Sequence, residues 1–179
     1  MINSNNSKQR FSNKLNSLLR LNKFTEAREI LLKEYKKYPD EYFLLTMLSQ
    51  VCNRLNDYPN ALYYSYRAIS LDNEDILVIY NHIVSLVNNE KYEEGLKWSC
   101  NILEKSLNQI SNNGEGIRWA KSIRNDTLYF HAICLYHSNQ KKDAIASLIQ
   151  LLRQRKSGIY SDLSKSQILD TLEKYVSEI

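Results

Sequence analysis

The stretch "NKFTEAREIL", residues 22–31, returns in altered form as "NDYPNALYYS" at 56–65 and as "EKYEEGLKWS" at 90–99. In each copy an aromatic residue (Phe24, Tyr58, Tyr92) stands three positions before a small one (Ala27, Ala61, Gly95), and the copies are 34 residues apart both times. A fourth version, "NQKKDAIASL" at 139–148, puts Ala144 in the small slot 49 residues after Gly95, fifteen more than one period. A period of this length means one supersecondary unit repeated along the chain, each too small to bury its apolar face alone. The expected layout is a single domain over 1–179, with repeats at 8–41, 42–75, 76–109 and 125–158, an insert at 110–124 and a C-terminal cap at 159–179.

The repeated element is helical. Phe11, Leu15, Leu18 and Leu19 recur at i, i+4, i+7 and i+8, which is one face of an α-helix. Two prolines and four glycines in 179 residues argue against a loop-rich all-β fold. Small residues at 27, 61 and 144 let two helices approach closely, and Gly95 does the same at a cost of about 1 kcal/mol relative to Ala in mid-helix. In the tail, Ser164 and Gln167 have capping-box spacing, and Leu163 and Ile168 are placed as a hydrophobic staple. Ile168, Leu172, Val176 and Ile179 form the apolar stripe expected to lie over the fourth repeat.

A 34-residue helix–turn–helix unit with small residues at fixed places resembles the tetratricopeptide repeat (TPR). In the second repeat the family's spacing falls on Leu45, Leu48, Ser49, Cys52, Ala61 and Ala68, and in the first on Phe11, Leu15, Leu18, Ala27, Leu31 and Pro39. Leu15 and Ile83 replace a small residue of the pattern, Ser65 and Ser99 replace a large apolar one, and only Pro39 keeps the terminal proline. The resemblance implies an all-α, right-handed superhelical solenoid of antiparallel helix pairs whose front helices line a concave surface. Carried over by register, the lining positions are Ser12 and Asn16, then Met47, Gln50 and Arg54, then Tyr80, Asn81 and Val84, and finally Tyr129, Phe130 and Ile133. Such a groove would run from polar amides to an aromatic and aliphatic floor. Amides can bond a peptide backbone and aromatic side chains are typical anchors; Tyr129 and Phe130 could equally pack against the C-terminal helix. Members that hold a peptide carboxylate use a clamp of cations and asparagines. Of its five positions only Asn16 survives, the others being Ser12, Met47, Leu77 and Asn81, so that mode is excluded.

The insert keeps helical spacing on both sides. Leu103, Leu107 and Ile110 continue the stripe of the third repeat's back helix, and Ile117, Ala120, Ile123 and Leu128 run into the front helix of the fourth, with only residues 111–116 reading as turn. Two extra turns on each of two adjacent helices, joined at Gly114–Gly116, would project as a finger. On it Arg118, Lys121 and Arg124 are free to face outward, with Trp119 either exposed beside them or tucked beneath. Insertions on one face of a repeat array often carry binding.

Catalysis finds little support. There is no Gly-rich phosphate loop, nucleophile elbow, His-x-x-x-His or Cys-x-x-Cys. His82 and His131 share one repeat slot, but no third ligand presents itself, so no metal and no cofactor are expected. Lys and Arg total 24 against 20 Asp and Glu, mixed along the chain for a net +4, which is a solvated surface rather than a nucleic-acid footprint. No apolar run is long enough to span a bilayer, the N-terminal residues lack an apolar signal core, and the three cysteines Cys52, Cys100 and Cys134 have no close pairing, so a cytoplasmic protein is expected. The function class is therefore a non-catalytic interaction module, a scaffold, adaptor or chaperone, binding a partner protein or peptide through the groove or the finger. Its size and repeat number resemble the bacterial class II type III secretion chaperones. The alternatives are an immunity protein that neutralises a bacterial toxin and a peptide-sensing regulator.

Overall fold

The computed structural model describes residues 2–111, 116–155 and 159–178, with side chains from Lys8 onward. Ten helices follow in order: α1 (Ile2–Arg20), α2 (Phe24–Tyr35), α3 (Tyr42–Arg54), α4 (Tyr58–Leu71), α5 (Ile76–Asn88), α6 (Tyr92–Glu104), α7 (Leu107–Ser111), α8 (Gly116–His137), α9 (Lys141–Gln154) and α10 (Lys165–Ser177). No strand occurs among the described residues. The pairs α1–α2, α3–α4, α5–α6 and α8–α9 are the four repeats, each packed front helix on back helix.

One turn geometry closes all four pairs. Asn22, Asn56, Glu90 and Asn139 take positive φ of 55°, 57°, 59° and 63°, at the same 34- and 49-residue intervals as the small residues. After each, the next amide reaches back five residues: Lys23 to the Leu18 carbonyl, Asp57 to Cys52, Lys91 to Leu86 and Gln140 to Leu135, all at 2.9 Å. The left-handed residue itself bonds three back, to Leu19, Asn53, Val87 and Tyr136. These two bonds are the Schellman motif, which satisfies carbonyls orphaned at a helix C-terminus. The back helix then starts at once, with the amides of Ala27, Ala61, Gly95 and Ala144 donating to the carbonyls of Lys23, Asp57, Lys91 and Gln140. The small residue is thus fixed in the first turn of the back helix, where it faces the front helix.

The helices gather into two compact units, Met1–Asn73 and Glu74–Ile179. The core of the first is Leu15, Leu18, Ala27, Leu31, Leu44, Met47, Leu48 and Val51, with Phe11, Tyr35 and Tyr64 packed around it. Arg67 of α4 secures its α2–α3 loop, donating to the Pro39 carbonyl (3.1 Å), to Asp40 (2.8 Å) and to the Tyr35 hydroxyl. Tyr63 and Tyr66 face outward from the same helix.

In the second unit α8, α9 and α10 share a core of Leu128, Ala132, Leu135, Ala144, Leu148, Leu151, Leu163, Ile168 and Tyr175. α6 packs on α8 so closely that a Cβ built on Gly95 would sit 2.8 Å from Cys134 Sγ. The two serines that depart from the repeat pattern are satisfied locally. Ser65 donates to the Leu62 carbonyl and Ser99 to the Leu96 carbonyl, each at 2.9 Å. Ser99 also lies 2.9 Å from His131 Nδ1, so a polar pair, Ser99 buried and His131 half-buried, stands where two apolar side chains would otherwise meet.

Two expectations need correction. The back helix of the third repeat does not run on into the insert: α6 stops at Glu104 and Lys105 is extended. A new turn, α7, restarts two residues later under a capping box, with the Ser106 amide on Gln109 Oε1 (2.8 Å) and the Gln109 amide on Ser106 Oγ (3.3 Å). In the cap, the Ser164–Gln167 box and the buried Leu163 and Ile168 stand as expected, but the stripe turns inward at Tyr175 (4% exposed) and leaves Val176 outside at 56%. Tyr175 stacks on Tyr136 at 3.7 Å and 8°; an aromatic ring buries more area than a valine and so takes the inner position. The expected turn at 112–115 and the stripe's last member, Ile179, lie outside the described residues.

Candidate functional site

The front-helix positions separate into groups of different character. In the first unit Asn16 and Arg54 are exposed on α1 and α3. Met47, 7% exposed, belongs to the core rather than to an open floor. Gln50 is half-buried, and its Oε1 makes no hydrogen bond among the described residues.

In the second unit α5 packs on α8 and brings Tyr80 edge-on to Phe130 at 6.1 Å. Tyr80 (7% exposed) and Asn81 (3%) are largely withdrawn, and the Asn81 amide donates to the Leu77 carbonyl one turn back at 2.9 Å. Tyr129 contacts Phe130 at 5.6 Å, but its hydroxyl lies 3.1 Å from Thr171 Oγ1 of α10, so this ring packs against the cap. Val84, one turn beyond Tyr80, and Ile133, on the Phe130 face of α8, are half-buried, as is Phe130 itself. The open part of this face is thus aliphatic and phenyl, flanked by structural tyrosines.

The inserted segment is not a free-standing finger. Ile110 of α7 and Ala120 of α8 are fully buried, and Ile123 nearly so, where the two helices pack. The other side of α8 is strapped by residues 159–163. Ser122 donates to the Tyr160 carbonyl at 2.6 Å, while the Asp126 carboxylate accepts from the Ser161 hydroxyl and from the Asp162 amide at 3.1 Å. Burial raises the Asp126 carboxyl above its ordinary value, partly offset by these two bonds. Arg118 and Lys121 face outward and Trp119 is half-buried. Arg124 is not free: one of its guanidinium nitrogens donates to the Leu103 carbonyl at 3.2 Å, tying α8 to the end of α6. Lys121 and Arg124, one turn apart, line a cavity of about 500 Å³ that sequence reasoning did not reveal. Its far side is built from Arg153 and Gln154, exposed in the last turn of α9.

The histidines and cysteines have structural surroundings. His82 is fully buried, edge-on to Trp98 at 5.6 Å, with Nε2 3.7 Å from Glu94. Burial brings its pKa down to about 4, against the pull of Glu94, and lowers that of His131 as well. Burial pushes the thiols the other way, Cys52 to about 11 and Cys134 to about 12, which keeps them protonated and poorly nucleophilic. Among the described residues no group of three or more His, Cys, Asp or Glu is placed to hold a metal ion, and no helix is long and apolar enough to cross a membrane.

No family model matches the chain, and no curated protein matches it in sequence. Solved structures do match in shape. MamA 41-end from Desulfovibrio magneticus RS-1 superposes with a TM-score of 0.65 at 13% identity, over 95% of this chain and 84% of that one. A MamA RS-1 ArsTM double mutant gives 0.62 at 14% identity, over 95% and 83%. YrrB, described as a TPR protein with an unusual peptide-binding site, gives 0.62 at 16% identity, over 91% and 73%. At these identities the likeness is one of architecture, and together with the four Schellman-closed helix pairs it establishes that the chain has the all-α fold of tetratricopeptide repeat proteins.

Proposed function

We propose that this chain is a non-catalytic interaction module of the cytoplasm, a scaffold, adaptor or chaperone that holds a partner protein or peptide against the α5–α8 face of its second unit. The observation that best supports this is the row of Val84, Phe130 and Ile133. These apolar side chains stay half-open on two packed helices, beside the buried edge of Tyr80. Apolar and aromatic anchors of this kind supply most of the energy in peptide recognition. The fold likeness to YrrB, whose description includes a peptide-binding site, supports the same class. A peptide-sensing regulator would use the same face. The proposal includes no nucleic acid, membrane, metal or cofactor.

A second reading, in which a folded partner such as a bacterial toxin is neutralised, is favoured by the half-buried Trp119 between the exposed Arg118 and Lys121. Trp and Arg are enriched at the centres of such interfaces. Affinity capture from the native organism with mass spectrometry supplies the partner, and two variants separate the surfaces. Phe130→Ser with Ile133→Ser should weaken binding at least tenfold, while Arg118→Glu with Trp119→Ala should leave it within threefold, both folded by circular dichroism. The reverse pattern moves the site to the inserted segment. Full binding by both variants sinks both readings.

A further inference from the structure

The five positions at which related folds grip a peptide carboxylate carry no cation here, yet the second unit collects cations elsewhere. The cavity of about 500 Å³ beside the insert is bounded by Lys121 and Arg124 of α8 and Arg153 of α9. Lys121 and Arg153 are exposed, and neither makes an ion pair or hydrogen bond among the described residues. Arg124 spends one nitrogen on the Leu103 carbonyl, which orients the fork and leaves its other donors uncommitted by that bond. The remaining polar walls are the amides of Asn125 and Gln154, and among the described residues no carboxylate lines the space. The carboxylate next along α8, Asp126, is turned to the strap, where Ser161 and the Asp162 amide take its oxygens. Leu107 and Ile159 add apolar wall.

Three cations converging on a concave space without a counter-charge among the described residues repel one another, and an anion relieves that repulsion. One of them, Arg124, is held from outside the cavity by the Leu103 carbonyl, and the Leu107 wall begins at the α7 capping box. A guanidinium fork binds carboxylates bidentately, side-chain amides can pair with a peptide backbone, and the aliphatic wall suits the stem of a glutamate. The geometry points to this cavity as the docking site for an acidic segment of the partner protein, a run of Asp and Glu side chains entering between α8 and the end of α9. The inference rests on reading the chain as a protein-binding module, and it places the charged part of recognition away from the Val84–Phe130–Ile133 face.

Fluorescence anisotropy with a labelled octaglutamate peptide tests it on the full chain without the natural partner, so its outcome is separate from that of the capture experiment. Octaglutamate should bind saturably at 50 mM salt and weaken as salt screens the contact, while octaglutamine and octalysine should not bind. Lys121→Glu with Arg153→Glu should weaken binding at least tenfold. Lys97→Glu with Lys142→Glu, exposed positions elsewhere on α6 and α9 with the same change in net charge, should weaken it less than threefold. Both variants must melt as the parent does by circular dichroism. Absence of saturable binding, or equal weakening by the two double variants, overturns the assignment. Inorganic pyrophosphate competing at tenfold lower concentration than octaglutamate would also overturn it, by making the site one for phosphoryl groups.

Discussion

Replacing Gly95 by alanine should destabilise this protein, against the usual effect of that change in a helix. In an exposed helix Gly→Ala gains about 1 kcal/mol. Here the new Cβ would lie 2.8 Å from Cys134 Sγ, well inside contact distance, with Val87 Cγ2 at 3.6 Å and Leu86 Cβ at 3.8 Å on its other sides. Cys134 is fully buried. Its sulfur can leave only by changing one torsion, and the helix disfavours one of the two alternatives. Overpacking of this kind costs about 1–3 kcal/mol, so the net loss should be about 1 kcal/mol. Cys134→Ala removes the obstructing atom. In that background Gly95→Ala should recover the full propensity gain of about 1 kcal/mol, because the methyl fills space the sulfur left. Urea unfolding of the four proteins, followed by circular dichroism, yields a coupling energy of about 2 kcal/mol if the contact is as described. A Gly95→Ala variant that is more stable than the parent by about 1 kcal/mol, whichever residue stands at 134, would refute the close approach of α6 to α8.

Glu90 is the one left-handed turn residue of the four that is not asparagine. Glu90→Asn should raise stability by about 0.5–1 kcal/mol in the same denaturation assay, since asparagine tolerates that conformation better. His82 is held neutral by burial, with its pKa near 4 against an ordinary 6.5, so the unfolded chain binds more protons across that interval. Stability should therefore fall as pH drops from 6.5 toward 4, by about 2 kcal/mol at pH 5 from this residue, with His131 adding in the same sense and Asp126 in the opposite one. His82→Leu should flatten the slope in urea midpoints measured from pH 7 to pH 5. Tyr175→Ala should cost about 3 kcal/mol or more in thermal melts, through loss of the buried ring stacked on Tyr136, whereas Val176→Ala should stay within about 0.5 kcal/mol.

The repeat period was legible because three aromatic-to-small pairs sit in strict register, and α2, α4 and α6 do begin at Phe24, Tyr58 and Tyr92. The break before α7 left a trace that the apolar spacing hid. Leu103, Leu107 and Ile110 keep a helical interval across the interruption, since a helix that stops and restarts within two residues can present the same face. Ser106 and Gln109 nevertheless carry the capping signature that identified the start of α10 at Ser164 and Gln167. Tyr175 and Val176 both fit the period of the last helix, and only the presence of Tyr136 decides between them. The partners of Asp126 lie 35 and 36 residues further on, and the cationic cavity joins residues from α8 to the end of α9. Such pairings depend on how helices meet, which no local pattern records. The burial of Tyr80 and Asn81 was hidden for the same reason: register gives a residue's position on a front helix but not what packs over it.

The Schellman turns have a consequence for how such a chain can change length. Each left-handed residue lies inside a helix pair, whereas the fifteen additional residues, 110–124, fall between the third such turn and the fourth, where they supply the end of α7 and the first turns of α8. The pair that follows closes with the same bonds at the same distances. A hairpin sealed by its own turn is therefore the piece that can be moved, duplicated or spaced apart without resetting the next one. The junctions between hairpins are where an ancestral gene, or an engineer, could add or remove sequence at least disturbance.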